Sequence, residues 1–531
     1  MFMHTYTRLL LLSSLIVLVG PVRADDPSHH ATAESYRNSG YRYFWTVIQD
    51  EFDARSFDDP EDAQRYREMV DTVMRIGATY AQPYQNSGVG MTTLYPEILK
   101  LDPEPPLYVQ YRYHNSQAGP QNLGNPFEVH ARALMVIAGK MEEGGYPKYI
   151  SGATWLKASE FLREAEVTDT QLIIETREHG LELLVESASL DEIEPEFQEF
   201  VAIRIAKFGY QYSALLPDDK VRYCKLLLED ERVDPWIARF ASGNLRSDLG
   251  WAARGDGWAR DVTQKQWKVF EQNLKKAEMH LSKAWEFRPL WPEAAEELIS
   301  ITNGYTETNP SRDEAFWFNE VISARIDDEQ GYIRFVNALK PRWGGSIESM
   351  YALMDFVVRL SDEHDHMGYI MLEMMAAITR ELEDGHAVLL DEAYLTIATR
   401  MMREEISDPL PYKNKWQHRA ALRTAAMGQF KSGNYASSAE LLRAGGGMTK
   451  DIFNPWAETQ RFTVFASVLA TPESDLIIKG LKAQNNGDPK GAKKAFKRAL
   501  KSLKKLKKKN KIDPEIVRDP ISTLERIIKT T

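Results

Sequence analysis

The sequence predicts an all-α protein assembled as an array of helical hairpins. Three observations carry that reading. Apolar residues recur at i, i+3, i+4 and i+7, as in "SIESMYALMDFVVRL", where Ile347, Met350, Tyr351, Met354 and Val358 line one helix face. Alternating strand patterns are scarce: "LYVQYRYH" (107–114) is the one tempting case, and the prolines before it suit a helix start as well. The helical segments are of ordinary length and are joined by short breaks rich in Pro, Gly and Asp.

From the N-terminus, residues 1–24 read as a cleaved signal peptide. Arg8 precedes an apolar run from Leu9 to Gly20, and Val22 and Ala24 supply small residues before a cut at Asp25. That run is too short for a hydrocarbon core of about 30 Å, so no transmembrane span is expected in the mature chain. An exported protein, periplasmic or extracellular, follows. Residues 25–225 are expected to form an N-terminal helical region, 230–470 a helical repeat domain, and 471–531 a C-terminal hairpin with a lysine-rich helix and a capping helix. The cap is expected to begin at Asp519-Pro520, with Ile521, Leu524, Ile527 and Ile528 facing inward. The only cysteine, Cys224, permits no internal disulfide and reads as inert helix core.

Internal repeats sharpen the hairpin reading. "GLKAQNNGDPKGAKKAFKRAL" places Gly480, Gly487, Ala492, Phe496 and Ala499 in a small–large–small order. "AMGQFKSGNYASSAELLRAG" repeats that register with Ala426, Gly433, Tyr435, Ser438, Leu442 and Gly445, and "AEMHLSKAWEFRP" offers Ala277, Leu281, Ala284 and Pro289. Small residues let two helices approach, and a large one fills the groove between hairpins. These residues resemble the tetratricopeptide repeat, a helix-turn-helix unit of about 34 residues. Lys504 stands where that repeat often has proline. The string "DPWIARFASGNLRSDLGWAARGDGWARDV" (234–262), with "RWGGS" (342–346) further on, resembles an uncharacterised bacterial tetratricopeptide-like domain of unknown function. Together the two resemblances imply an α-solenoid over about 230–505 and supply no activity.

"LKPRWGGSIESM" (339–350) poses a choice between a phosphate loop and a joint. A P-loop needs a preceding strand and a lysine directly after its last glycine, and neither is present. A turn accounts for every residue. Pro341 stops a helix, Trp343 anchors the turn, Gly344 and Gly345 give it backbone freedom, and Ser346 caps the next helix.

Chemistry-bearing clusters are few. Asp362, His364 and His366, with His386 further on, are the candidate metal ligands, but the segment lies between two helical patterns and is expected to be a solvated interhelical loop that holds no metal. No G-x-S-x-G or H-E-x-x-H motif is present, and no cofactor is expected. The aromatic clusters "YRYFW" (41–45) and "YVQYRYH" (108–114) fit hairpin core, or else rings that stack on sugars or anchor a peptide.

Charge is strongly asymmetric. Residues 479–511 hold thirteen lysines and Arg498 against Asp488 alone, a balance of +13, which leaves −24 on the rest of a chain whose net charge is −11. The run makes a basic amphipathic helix, with Lys497, Lys501, Lys504, Lys505 and Lys508 as candidates for contact with an anionic surface or polyanion. The acidic total argues against nucleic acid. The expected function is a non-catalytic, exported scaffold for a protein or peptide partner. The alternatives are an envelope hydrolase or metal-dependent enzyme on an all-α scaffold, and a polyanion- or membrane-surface-binding protein.

Overall fold

A computed structural model describes residues 32–78, 87–116, 126–211, 217–255, 257, 261–304, 311–361, 364, 367–381, 392–407, 425–444, 469, 471, 473–508 and 514–530. All regular structure among them is helical. The chain divides into two compact units, up to Ala338 and from Leu339 onward. That division falls inside the 230–470 segment, and the signal-peptide stretch lies outside the described residues.

The first unit holds α1 (Ala33–Asp53), α2 (Pro60–Ala78), α3 (Ser87–Leu101), α4 (Leu107–Ser116), α5 (Pro126–Glu143), α6 (Lys148–Glu164) and α7 (Thr170–Glu186). It continues with α8 (Pro195–Gln211), α9 (Pro217–Glu229), α10 (Pro235–Arg254), α11 (Gln264–Phe287), α12 (Glu293–Gly304), α13 (Glu314–Ala324) and α14 (Glu329–Ala338). Proline opens several of them, since its fixed φ suits a first turn and its missing N–H is no loss there. Asp169, Asp234 and Asp313 cap others by accepting backbone N–H bonds. The segment 107–114, where strand and helix were both open, is helical: Tyr108, Val109, Tyr111 and Arg112 are all buried, and burial on more than one face blurs the helical period.

Most helices pack chiefly on their neighbours in sequence, most extensively α10 on α11 and α6 on both α5 and α7, whereas α8 packs chiefly on α10 and α1. The closest approach is backbone to backbone. A Cβ on Gly152 of α6 would stand 2.8 Å from the Gly180 carbonyl of α7, and one on Gly180 would stand 2.9 Å from that of Gly152. Other contacts skip a helix, as α8 on α10 and α12 on α14, and one between helices joins elements far apart in the chain: α1 packs on α8. Its centre is aromatic. Phe44 stacks on Tyr108 with centroids 4.6 Å apart, Phe200 meets Phe44 edge-on at 5.5 Å, and the Arg204 guanidinium lies 4.4 Å over Phe200. The "YRYFW" and "YVQYRYH" clusters thus build core through Tyr43, Phe44, Tyr108 and Tyr111.

The second unit opens with the "PRWGGS" turn. Pro341–Trp343 form a short 3-10 turn, Gly344 takes φ 86° in the left-handed region, and the Ser346 hydroxyl accepts from the Ser349 N–H at 3.1 Å. Trp343 is half-buried. A side chain on Gly345 would meet the Leu339 carbonyl oxygen at 2.0 Å, so this glycine is demanded by space. The helices that follow are α15 (Ile347–Leu360), α16 (Met367–Glu381), α17 (Glu392–Ser407), α18 (Tyr435–Ala444), α19 (Ser474–Asn485), α20 (Pro489–Lys508) and α21 (Pro514–Thr530). α21 begins six residues before the expected Asp519-Pro520 start, because Pro514 already supplies a first-turn φ, and the helix runs through Pro520. Leu524 and Ile527 are its buried residues among the four expected inward, with Ile521 and Ile528 half-buried.

Candidate functional site

The hairpin of α19 and α20 presents the charged surface of greatest interest. α19 ends in a paired turn in which the Asp488 N–H bonds to the Ala483 carbonyl at 2.9 Å and the Gly487 N–H to that of Gln484 at 3.1 Å. Gly487 makes this possible at φ 71°. The same geometry recurs in an earlier hairpin, where the Asn434 N–H bonds to the Gln429 carbonyl at 2.8 Å and the Gly433 N–H to that of Phe430 at 3.1 Å. The two hairpins are joined by the Asn485 side-chain amide, which donates to the Tyr435 hydroxyl at 2.5 Å.

α20 spends its apolar stripe inside the protein. Ala492, Ala495, Phe496, Ala499 and Leu503 are buried against α19 and α21. The Phe496 ring lies so close to Gly480 that a Cβ there would be 2.3 Å from it. Lys490, Lys493, Lys494, Lys497, Arg498 and Lys501 line an open, shallow groove on the outer side. Their spacing of i, i+3, i+4, i+7, i+8 and i+11 makes one continuous face. Among the described residues none of the six forms an ion pair.

This arrangement opposes the helix's own electrostatics. Lys490, Lys493 and Lys494 sit near the positive end of the helix dipole, where cations are unfavourable. The pairs 490/494, 493/497, 494/498 and 497/501 set like charges one turn apart, each costing about 0.2–0.5 kcal/mol. Asp488 offsets part of this by accepting from the Gly491 N–H at 2.8 Å at the start of the helix, but the like-charge pairs along the outer face remain.

Of the residues selected from sequence, Lys497 and Lys501 line the groove. Lys504 instead donates to Glu525 of α21 at 2.5 Å, while Lys505 and Lys508 are exposed toward the C-terminal end of α20. Sequence reasoning passed over Lys490, Lys493, Lys494 and Arg498 as site residues, though their helical spacing was the signal. His364 caps the α15 end through its N–H to the Leu360 carbonyl at 3.0 Å. Asp362, His366 and His386 lie outside the described residues, so their arrangement with His364 is not placed.

A second cluster, in the first unit, is sealed from water. The Arg325 guanidinium meets Glu199 at 2.5 Å, Asp328 at 3.3 Å and Glu293 at 3.5 Å, and lies 4.6 Å over the Tyr36 ring. Asp327 beside it accepts from the Ala33 N–H at 2.7 Å. Burial pushes the carboxyls of Glu199, Glu293 and Glu296 up, and neighbouring carboxylates push them further, while those carboxylates hold Arg325 charged. Sequence could not find this cluster, because α1, α8, α12 and the 325–328 turn each contribute a part.

Two further groups complete the survey. Cys224 is buried and its thiol is pushed up to about 12, chiefly by that burial, which leaves it inert at neutral pH. His114 and His130 face one another Nδ1 to Nδ1 at 2.7 Å, and burial, then the charge of His130, pulls His114 down to about 4. Among the described residues no three His, Cys, Asp or Glu side chains are grouped to hold a metal ion, and no helix is long and apolar enough to cross a membrane.

No protein-family model and no curated protein matches the chain. Among solved structures, similarity is found to a "Circular tandem repeat protein with novel repeat topology and enhanced subunit contact surfaces", at 13% identity over 94% of this chain and 97% of that one. The TM-score is 0.14, at which the likeness carries no argument.

Proposed function

We propose that the chain is an exported, non-catalytic, tetratricopeptide-like helical scaffold that binds protein or peptide partners in the cell envelope or outside it. The observation that carries this reading is the packing of most helices on their sequence neighbours, with two hairpins closed by the same glycine turn and bonded through Asn485 and Tyr435. Stacked hairpins of this kind expose extended surfaces suited to peptides and helices. The sealed state of the carboxylates around Arg325 supports a structural role for the acid cluster, and the high thiol value supports an inert Cys224.

The test is capture of partners by the tagged full chain, crosslinked in its own envelope and identified by mass spectrometry. The scaffold reading expects one or a few proteins that are enriched reproducibly and lost on unfolding the bait. Hydrolytic release of an envelope polymer by the purified chain would replace this reading with an enzymatic one.

A further inference from the structure

The geometry points to the outer face of α20 as a binding site for a soluble, linear phosphate polymer. This goes beyond the scaffold reading and does not depend on it. Four features select the ligand. First, the open groove at 490–501 is lined by cations alone, none of them in an ion pair among the described residues, so a polyanion is the complementary occupant.

Second, the apolar stripe of α20 is already buried against α19 and α21, which removes the insertion that anchors an amphipathic helix in a lipid surface. Third, the exposed large apolar residues among those described lie on the first unit and none on α20. A partner helix would therefore find no apolar anchor here of the kind that dominates protein interfaces. Binding must come from charge density. A linear polymer that lays one anion after another along about 16 Å of helix supplies it, with released counterions driving association.

Fourth, five of the six cations are lysines. Each ammonium is a compact point charge that demands no planar, bidentate acceptor, so the face answers to charge density, which is high along a phosphate chain that carries about one negative charge per phosphate. Holding six cations together costs the free helix stability, and an arriving polyanion relieves that cost.

The experiment is fluorescence anisotropy of labelled inorganic polyphosphate with the full chain, repeated across a salt series. The expected result is binding whose log K falls linearly with log salt. The variant K493E/K494E/K497E/R498E should weaken binding by about 100-fold and lower the salt slope by about three to four. The variant K268E/K275E/K276E, on exposed positions of α11, should bind as the unaltered chain does. A thermal melt confirms that the reversed α20 remains folded. Should it not, K494Q and K497Q singly must each lower the salt slope by about one.

Equal losses from both reversals would overturn the site. Matched polyglutamate binding as tightly as polyphosphate would overturn the phosphate assignment in favour of an acidic peptide. Anionic vesicles binding through these residues where polyphosphate does not would overturn it in favour of a membrane surface. Loss of the site leaves the crosslinking test untouched, whereas polyglutamate binding would place an acidic peptide among the partners that test seeks.

Discussion

Glu296 shows what a single residue does to this fold. It is buried beside Glu293 and Asp328, and its carboxyl is driven up first by burial and then by those neighbours. A carboxyl raised in the folded state contributes stability that is fully present below its unfolded value of about 4.3 and is lost as pH rises through the folded value. Glu296→Gln removes this loss while keeping the shape. It should raise the melting temperature at pH 8 by the equivalent of about 1–3 kcal/mol and lose that advantage near pH 4, as thermal melts at both values would show. His114 works the other way. Its imidazole is pulled down to about 4, so it contributes stability above about 6.5 that is lost as pH falls. The comparison must therefore be variant against parent at each pH. Arg325→Met should cost about 3–5 kcal/mol, because it strands Glu199, Glu293 and Asp328 as buried acids without their cation.

At the scale of the element, α20 is a helix whose two faces answer to different demands. The inner face is set by shape. Gly480→Ala drives a methyl into the Phe496 ring and should cost about 1–3 kcal/mol, and Phe496→Leu in the same chain should recover part of it in a denaturant titration. The outer face is set by charge. Lys494→Glu would convert repulsion with Lys490 and Arg498 into attraction and improve the dipole match, so the hairpin should gain up to about 1 kcal/mol even as polyanion binding weakens. A stability loss on that substitution would show that the lysines serve the fold. The inner stripe was legible in the sequence because Ala492, Phe496 and Ala499 recur at helical spacing, and short-range periodicity survives folding unchanged. The division of labour among the lysines was not. Whether Lys504 faces solvent or Glu525 depends on how α21 lies against α20, a fact no single helix encodes.

Across the whole molecule, the same contrast decides what sequence reveals. Packing on sequence neighbours announces itself through local signals, and α15 is helical as its periodicity predicts, although its buried face is Met350, Leu353, Met354 and Val357, with Ile347, Tyr351 and Val358 half-buried. The Arg325 cluster and the α1–α8 contact join residues far apart in the chain, where no spacing rule reaches. The division at Ala338 and Leu339 carries its own prediction. Gly152→Val would force apart the α6–α7 crossing, and hydrogen exchange should then quicken in α5–α8 while α19–α20 keep their protection. Protection lost equally in both regions would refute two separately cooperative units.

The bond from the Ala33 N–H to Asp327 spans 294 positions along the chain. A ribosome working at about 5–20 residues per second makes its two partners about 15–60 seconds apart. Throughout that interval the ring of Tyr36 has no guanidinium to lie against, and the mates of Phe44 and Tyr43 on α8 arrive only part-way through. The earliest helix to emerge among the described residues is thus among the last to be locked. Such a chain stays open late, a useful property if it must be threaded through a translocon before it folds. Slow, late closure of α1, timed by pulse-labelled exchange during refolding, would be its signature.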